Sequence, residues 1–363
     1  MLMYELAPLS IGSADAAFGQ TVRLSQRFPW PGKLSGAAAS AQASADAAHE
    51  AIEISELDLA LQVSNLFDDY WLNARAIEIN LEHQRLLREI GASARARYAA
   101  GRGPVQDALA AEVESAQLVR EKLRLDADRQ SSRAQLNLLM RVAPGAALPE
   151  PAARLDVAGE KQPARVAEPP GSAALQRQAL TERAELRAQS SQVRAAEASI
   201  QVAERGSYPD ITLSGSYTSM FPMAAHQWML GIELPLPLAQ SPRGGAVDEA
   251  SARAALLRSQ SAQVADRVRF EVDEGRRRLK EAQQTLSLYG ARLLPLAKQQ
   301  VEAALSAYQT ADDSFASVIT AEKMLRDTEL AQRATLAQLS KRRAQLCRAL
   351  GQYPHRCKLG AVK

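Results

Sequence analysis

The stretch RFPWPGK, residues 27–33, places two prolines around one tryptophan directly after a segment in which polar and apolar residues alternate. A related stretch, ELPLPLAQSPR, lies at residues 233–243. Because proline has no amide hydrogen to give to a β-ladder, each proline pair predicts the end of a strand. Residues before proline avoid the helical region, so the link stays extended until Gly32 allows a sharp change of direction. The chain therefore predicts the same strand-to-helix transition twice.

The predicted junction contains the two proline pairs and the residues that accompany the first pair. We interpret Trp30 either as an anchor at a membrane interface or as a buried packing residue. The junction residues are Pro29, Trp30, Pro31, Gly32, Pro235 and Pro237.

Four segments alternate between polar and apolar residues and predict strands at about 2–9, 19–28, 210–219 and 228–236. They form two hairpins, with loops near 10–18 and 220–227. One interpretation is a small soluble sheet with one face on a core; the other is a set of tilted strands that cross a bilayer. Four strands cannot close a barrel around water, and open edges have no hydrogen-bond partners in lipid. The membrane interpretation therefore requires several chains, and three would supply twelve strands.

The remainder of the chain favours long helices. We predict helices at about 34–100, 105–141, 172–205, 245–308 and 314–350, separated by a proline-rich irregular connection at 143–171 and followed by a tail at 351–363. At about 1.5 Å per residue, the first helix would be roughly 100 Å long. Its apolar residues keep a heptad-like spacing at Leu59, Val63, Leu66, Tyr70, Ile77 and Leu81.

An internal repeat relates the two halves of the chain at an offset of 210 residues. YAAGRGPVQDALAAE at 98–112 corresponds to YQTADDSFASVITAE at 308–322, and RAQL at 133–136 recurs at 343–346. A shared offset over such a distance indicates a duplicated unit. We place the first repeat at 1–142 and the second at 172–350.

Composition excludes several classes of partner and location. The chain carries 44 basic and 41 acidic residues, a balance that does not favour nucleic acid. It contains no apolar run long enough for a transmembrane helix, and its first residues lack the features of a signal peptide.

We expect Met1 to be an internal methionine, with upstream sequence missing. We favour Cys347 and Cys357 being unpaired, or bonded only optionally, although an oxidising compartment would allow a disulfide.

No catalytic or metal-binding pattern is recognisable. The histidines, His49, His83, His226 and His355, are scattered without metal-ligand spacing, and nucleotide-binding and hydrolase motifs are missing. We interpret Asp68 and Asp69 as a solvated helix face. Met220, Met223 and His226 fall in one predicted loop, where a soft-metal contact is an alternative to an ordinary surface. We therefore predict a protein that is not an enzyme and needs no cofactor.

The chain resembles TolC-type outer-membrane efflux proteins, and within them the heavy-metal cation-efflux (CzcC-like) branch. The resemblance is carried by FPWPGK at 28–33, SYPDITLSGSY at 207–217 and the two stretches that begin at Tyr98 and Tyr308. It implies a mainly α fold with a small β part. Three chains would form a 12-stranded outer-membrane barrel and a helical barrel in the periplasm of a Gram-negative bacterium, with 143–171 in an equatorial belt. It also implies a periplasmic adaptor and an inner-membrane transporter of the resistance-nodulation-division type as partners.

The resemblance places function at the tips of the helical hairpins, which would meet the adaptor and close the periplasmic entrance. Related proteins have acidic residues where this chain has Ser317 and Thr320, and glycine where it has Ala311. Aspartates near the tips would form an acidic ring in a trimer, or would be ordinary solvated or capping residues. The implied tip residues are Tyr98, Gly101, Arg102, Gly103, Asp107, Tyr308, Asp312, Asp313, Ser317 and Thr320.

Two other classes of protein fit parts of this pattern. A periplasmic adaptor also contains helical hairpins, but it would need a lipoyl-like and β-barrel region around a single hairpin. A coiled-coil scaffold predicts neither paired strands that exit through prolines nor a proline-rich break.

Overall fold

The computed structural model describes residues 2–7, 18–152, 171–221, 225–235, 241–310, 314–357 and 359. The strands are β1 (Leu2–Ala7), β2 (Phe18–Phe28), β3 (Ile211–Phe221) and β4 (Ala225–Glu233). The helices are α1 (Lys33–Ala99), α2 (Val105–Leu139), α3 (Ser172–Glu182), α4 (Ala184–Arg205), α5 (Ser241–Leu288), α6 (Leu294–Thr310) and α7 (Phe315–Ala349), with a π-helical turn at Tyr289–Leu293 between α5 and α6. Among the described residues, no helix is apolar over a length sufficient to cross a membrane.

The four strands form one antiparallel sheet in the order β1-β2-β3-β4. Both predicted hairpins are confirmed, and the sheet is completed by pairing β2 with β3. Strand β3 ends later and β4 begins earlier than predicted, so that residues 220, 221 and 225–227 belong to strands instead of to the predicted loop. Strand β4 also ends earlier than predicted, at Glu233, and residues 234 and 235 lie outside it. Met223, like most of the predicted loop at 10–18, lies outside the described residues.

The alternation predicted from the sequence gives the sheet two different faces. The register places Val22 beside Tyr217, and Tyr217 beside Trp228, on the apolar face. On the other face, the hydroxyl groups of Thr21 and Thr218 lie 3.1 Å apart. Large side chains of the apolar face are open, with Leu230 91% exposed. In the described chain this face is therefore not packed on a core, as the soluble-sheet alternative would require.

The chain divides into two compact units. Unit 1 contains residues 1–52 and 184–265, and unit 2 contains residues 53–183 and 266–363. In unit 1, α1 and α4 approach closely: the Ser40 and Ser199 hydroxyl groups lie 3.0 Å apart, and a Cβ added at Gly36 would lie 2.9 Å from Val202. Small residues thus permit close helix packing in this unit.

Helices α2 and α7 show the repeat at the level of the backbone. Both contain 35 residues, and each boundary of α7 lies 210 positions after the corresponding boundary of α2. Each ends in the same hydrogen-bonded turn: the amide of Val142 donates to Asn137 at 3.0 Å, and the amide of Gln352 donates to Cys347 at 2.9 Å. The residue inside each turn has a positive φ, 57° at Arg141 and 78° at Gly351.

The structure corrects the prediction of one helix over 172–205, because Arg183 is extended with ψ 123°. The Arg183 guanidinium donates to Glu271 and to the Ala349 carbonyl, which holds this residue against the end of α7. The backbone of Gly351 is equally close, since a Cβ there would lie 3.1 Å from the Glu182 carbonyl oxygen. These contacts come from residues distant in sequence, so the local pattern did not reveal the break.

The expectation of unpaired cysteines is wrong. Cys347 and Cys357 form a disulfide that ties the segment after α7 back to that helix. Only some of the residues with heptad-like spacing in α1 are buried within the chain. Tyr70 and Ile77 are buried, whereas Leu59 and Leu81 are exposed.

Candidate functional sites at the hairpin tips and the strand-to-helix junction

Tyr308 is at the centre of an apolar cluster between the predicted hairpin tips. Its ring lies 5.2 Å from that of Phe315 in an edge-to-face arrangement. The cluster joins both repeats and contains Ile90, Ala94, Ala108, Ala111, Tyr308, Phe315 and Val318. Contacts of this kind hold the ends of α6 and α7 against those of α1 and α2.

Polar contacts fix the orientation of Tyr308. Its hydroxyl donates to Asp107 Oδ2 at 2.9 Å. The Arg97 guanidinium lies 4.4 Å from the ring centroid and donates to the Tyr308 carbonyl at 2.5 Å. Burial and the hydrogen bond to Asp107 raise the pKa of Tyr308 above its usual range. The phenol therefore stays protonated and able to donate at neutral pH.

The equivalent residue in the first repeat, Tyr98, has a different environment. Tyr98 is 52% exposed, whereas Tyr308 is 7% exposed. In the first tip, Gly101 has a φ of 68°, and the Arg102 amide donates to the Arg97 carbonyl at 2.8 Å. Gly103 lies beside the Arg97 side chain. The two glycines thus allow the turn of the first tip to fold back onto Arg97. From the sequence alone, Arg97 was not identified as a tip residue.

The second tip is only partly described. The Ser317 and Ser314 hydroxyl groups lie 3.2 Å apart, and Thr320 Oγ1 donates to the Ala316 carbonyl at 2.8 Å. Asp312 and Asp313 lie outside the described residues, so the predicted acidic ring stays a prediction. Asp107 is engaged with Tyr308, a role that neither sequence interpretation included.

A buried charge network lies between α1 and α7. His83 Nδ1 lies 2.6 Å from Glu322 Oε1, and His83 Nε2 lies 3.2 Å from Glu329 Oε2. His83 and Glu322 are both buried. Burial lowers the pKa of His83, but the hydrogen bonds to the two carboxylates outweigh it and raise the pKa to about 9. The imidazole is therefore charged at neutral pH.

The network continues between α2 and α7 through Glu114. This buried carboxylate pairs with Lys323 at 2.6 Å and with Arg326 at 2.9 Å. Burial raises the pKa of Glu114, but hydrogen bonds to both cations hold it below its usual range. With His83 protonated, the positive side chains of His83, Lys323 and Arg326 face the carboxylates of Glu114, Glu322 and Glu329, and Arg326 also pairs with Asp327 at the surface. The sequence contained a signal for it, since these polar residues occur on helix faces that are otherwise apolar.

Asp68 corrects another prediction. It is buried instead of solvated, and burial raises its pKa to about 7. Its neighbour Asp69 pairs with Lys341. Within the described residues, no group of three histidine, cysteine or acidic side chains is arranged to hold a metal ion.

The strand-to-helix junction is organised around the buried carboxylate of Asp210. It accepts hydrogen bonds from the Trp30 amide at 3.0 Å, from Lys33 Nζ at 2.7 Å and from Arg27. These donors, Lys33 first, hold the pKa of Asp210 well below its usual range. The carboxylate thereby connects the end of β2, the start of α1 and the start of β3.

The predicted junction residues fit this arrangement. Trp30 stacks on Tyr208, with ring centroids 5.1 Å apart. Pro29 and Pro31 lie between β2 and α1, where Gly32 has a φ of 95°. Pro235 follows β4, and Pro237 lies outside the described residues. Sequence reasoning identified the prolines but missed Asp210 and Tyr208, which contact the junction from the second repeat.

Comparison with known proteins identifies the fold. No protein-family model and no curated protein sequence matches the chain. The solved structure of CusC matches with a TM-score of 0.82 at 17% identity, covering 97% of this chain and 83% of CusC. The outer membrane protein VceC of Vibrio cholerae matches with a TM-score of 0.78 at 17% identity, covering 97% and 86% of the two chains. The open-state outer membrane channel MtrE of Neisseria gonorrhoeae matches with a TM-score of 0.78 at 16% identity, covering 97% and 80%. The chain therefore has the TolC-like fold of these channels.

Proposed function

We propose that this protein is the outer-membrane exit duct of a tripartite efflux pump in a Gram-negative bacterium. Three copies combine their four strands into a 12-stranded barrel, and the helices form the periplasmic part of the duct. The protein acts as a passage and not as an enzyme. The observation that carries this proposal is the sheet, whose apolar face is open while its other face is lined by hydroxyl and charged groups.

The edges of the sheet support the pooling of several chains. Among the described residues of one chain, β1 and β4 each pair on one side only. Unpaired strand edges are excluded from lipid, because their amide and carbonyl groups would have no partners there. Pairing β1 of one copy with β4 of the next satisfies both edges and closes the barrel.

The disulfide supports a location outside the cytoplasm. Disulfides persist in oxidising compartments such as the bacterial periplasm and are rare in the reducing cytosol. The Cys347–Cys357 bond belongs to unit 2, which is helical. A periplasmic position for these helices agrees with this chemistry.

The hairpin tips form the periplasmic entrance and the contact surface for an adaptor protein in this proposal. An inner-membrane transporter of the resistance-nodulation-division type would complete the pump. The CzcC-like sequence stretches favour heavy-metal cations as the exported substrates, and likeness to CusC is compatible with that choice. An adaptor or scaffold role fits less well, since neither explains an open apolar sheet face.

The experiment uses two adjacent residues of β4 that lie on opposite faces of the sheet. Leu230 belongs to the apolar face and Met229 to the polar face. Each is replaced by arginine in a full chain expressed with a signal peptide. We expect Leu230→Arg to reduce assembly in the outer membrane, because a lipid-facing arginine costs about 2–4 kcal/mol near the bilayer centre, and Met229→Arg to be tolerated. Light scattering of the detergent-extracted wild type should give the mass of three chains.

Two results would contradict the proposal. One is a wild-type protein that stays monomeric and soluble without detergent. The other is an equal response to the two arginine variants, which would mean that the two faces meet the same environment. Export of metal is tested separately, by comparing the metal tolerance of cells with and without the assembled pump.

A further inference from the structure

The segments after α2 and α7 make the same backbone turn, 210 residues apart, but different bonds hold it. In the first repeat the Ala146 amide donates to the Ala143 carbonyl at 2.9 Å, and the Asn137 side chain fixes the turn through hydrogen bonds. In the second repeat the Arg356 amide donates to the Tyr353 carbonyl at 3.0 Å. Here the fixing bond is the disulfide. Hydrogen bonds form during folding without a reactant, whereas a disulfide forms only when an oxidant accepts two electrons.

Little besides the disulfide holds residues 352–357, which we call the tail segment. All six residues are described, and among them only Cys357 is buried. Three polar contacts join the tail segment to neighbouring helices: Gln352 with Glu182 at 3.0 Å, Tyr353 with Glu56 at 2.7 Å and Arg343 with the Cys357 carbonyl at 3.3 Å. Ordering one residue costs about as much free energy as one hydrogen bond contributes, so a few polar contacts do not fix a segment of this length. The tail segment therefore stays loose until its disulfide forms.

The two sulfur atoms are out of reach in the folded chain. Cys347 is 0% exposed and Cys357 is 5% exposed. Thiol–disulfide exchange is a direct displacement at sulfur, so an oxidant has to touch the thiol that it oxidises. The bond is therefore made before the tail segment docks. At that stage Cys357 belongs to the loose segment, whereas Cys347 belongs to α7, where the neighbouring Leu346 is also fully buried.

We propose that this chain is a substrate of a thiol–disulfide oxidoreductase outside the cytoplasm, which reacts first with Cys357, and that Cys347 completes the bond as the tail segment docks. The oxidant is an enzyme because the bacterial periplasm is kept oxidising by enzymes and not by a small-molecule buffer. The inference takes from the proposed function only the location of the helices outside the cytoplasm. It adds a modification of the chain and the class of enzyme that makes it.

The chemistry consists of two successive exchanges. The Cys357 thiolate attacks the disulfide of the enzyme, which forms a mixed disulfide and releases one enzyme thiolate. The Cys347 thiolate then attacks Cys357 Sγ, which forms the bond within the chain and releases the second enzyme thiolate. The chain gives up two electrons and two protons, and the enzyme is reduced from a disulfide to a dithiol.

A pair of single-cysteine variants tests the order. Cys347→Ser keeps only the Cys357 thiol and Cys357→Ser keeps only the Cys347 thiol, so the two variants are matched in lacking the disulfide. Each full chain is expressed with a signal peptide, extracted in detergent and mixed with an oxidoreductase whose single active-site cysteine carries thionitrobenzoate. Exchange releases the coloured thionitrobenzoate and leaves the enzyme bonded to the chain. We expect Cys347→Ser to react about tenfold faster or more, because exchange at Cys347 has to wait for local opening around α7.

Denaturant supplies the control for this measurement. In urea both variants should react at the same rate, because neither sulfur is then buried. A folded Cys357→Ser variant that reacts as fast as Cys347→Ser, or faster, overturns the order. If both folded variants react slowly and both unfolded variants react fast, the tail segment docks without its disulfide and the inference is wrong.

Dependence on the enzyme is measured in cells. The full chain is exported with a signal peptide in a bacterial strain that has its periplasmic thiol–disulfide oxidoreductase and in one that lacks it, and free thiols are alkylated before electrophoresis. We expect the wild type to keep both thiols free in the second strain and to give several-fold less assembled protein there. The matched control is Cys347→Asn combined with Cys357→Ala, which places the residues of the first repeat, Asn137 and Ala147, in the second repeat. Its amount of assembled protein should be the same in both strains.

The outcomes separate this inference from the proposed function. If the wild type has the mass of three chains but forms its disulfide equally in both strains, the inference is wrong and the duct proposal stands. If the wild type is a soluble monomer whose disulfide needs the enzyme, the duct proposal is wrong and the inference stands. Free thiols in the strain without the enzyme, together with faster exchange at Cys357, support the inference.

Discussion

Asn137 and Cys347 occupy the same position in the two repeats, and both anchor the segment that follows their helix. The Asn137 amide donates to the Pro144 and Ala146 carbonyls at 3.0 and 2.9 Å. Cys347 instead forms the disulfide with Cys357. A pair of hydrogen bonds in one repeat and a disulfide in the other thus anchor equivalent segments. The backbone geometry is the same in the two repeats, whereas the side-chain chemistry differs.

The largest difference between the repeats is expected at the tip tyrosines. Tyr308→Ala should lower the free energy of unfolding by about 3–5 kcal/mol, because it removes a buried ring and leaves a cavity. Tyr98→Ala should change it by about 0.5 kcal/mol or less, since that side chain is exposed. Thermal unfolding of the detergent-solubilised variants measures both. Equal shifts would contradict the asymmetry of the two tips.

The second difference depends on pH and compares His83 with its counterpart Leu293. The pKa of His83 is raised from 6.5 to about 9 on folding, so its contribution is fully present below pH 6.5 and is lost as pH rises through 9. That contribution is at most about 3 kcal/mol, by the usual conversion of pKa into free energy. We expect the stability advantage of the wild type over His83→Gln to shrink between pH 7.5 and 9.5.

This pH range avoids the titration of Asp68, whose pKa is raised only to about 7. Leu293→His is the matched control, because that position is exposed and Glu322 and Glu329 are already bonded to His83. A constant difference between wild type and His83→Gln over the same range would mean that His83 is not charged in the folded protein.

The third comparison concerns the two anchors after the helices. Removing the disulfide with Cys347→Ser and Cys357→Ser should cost about 3 kcal/mol, as expected for a cross-link that closes a loop of this length. Asn137→Ala should cost about 1–3 kcal/mol, because it removes two hydrogen bonds to the segment after α2 from a side chain that is completely buried. Chemical unfolding with and without reductant gives both values. An unaffected Asn137→Ala variant would mean that its hydrogen bonds are replaced by water.

The smallest effects are expected at the turn residues with positive φ. Arg141→Gly should stabilise the protein slightly or leave it unchanged, because glycine adopts a positive φ without strain but is more flexible in the unfolded chain. Gly351→Ala should destabilise it by about 1–2 kcal/mol, since alanine is strained there and its Cβ would approach Glu182. The difference between these two variants in thermal midpoint is the relevant measurement. A stabilising Gly351→Ala would contradict the close backbone contact.

The comparison of the repeats also shows which structural features could be predicted from the sequence and which could not. Alternation predicted the strands and their two faces, and the repeat offset placed α2 and α7 in register. Neither signal distinguished Tyr98 from Tyr308, because burial depends on what the other repeat places beside each residue. The break at Arg183 was missed for the same reason, as its cause lies at Glu271, Ala349 and Gly351.

The sequence by itself determined the strand-to-helix transitions, the polar and apolar faces of the sheet and the duplication. These features arise from proline chemistry, side-chain alternation and a repeated order of residues, all of which act between neighbours in the chain. Tertiary structure alone decided which member of each repeated pair is buried, which charges meet and whether the cysteines bond. Such outcomes depend on residues brought together by folding, such as His83 and Glu322, and no local pattern records the distance between them.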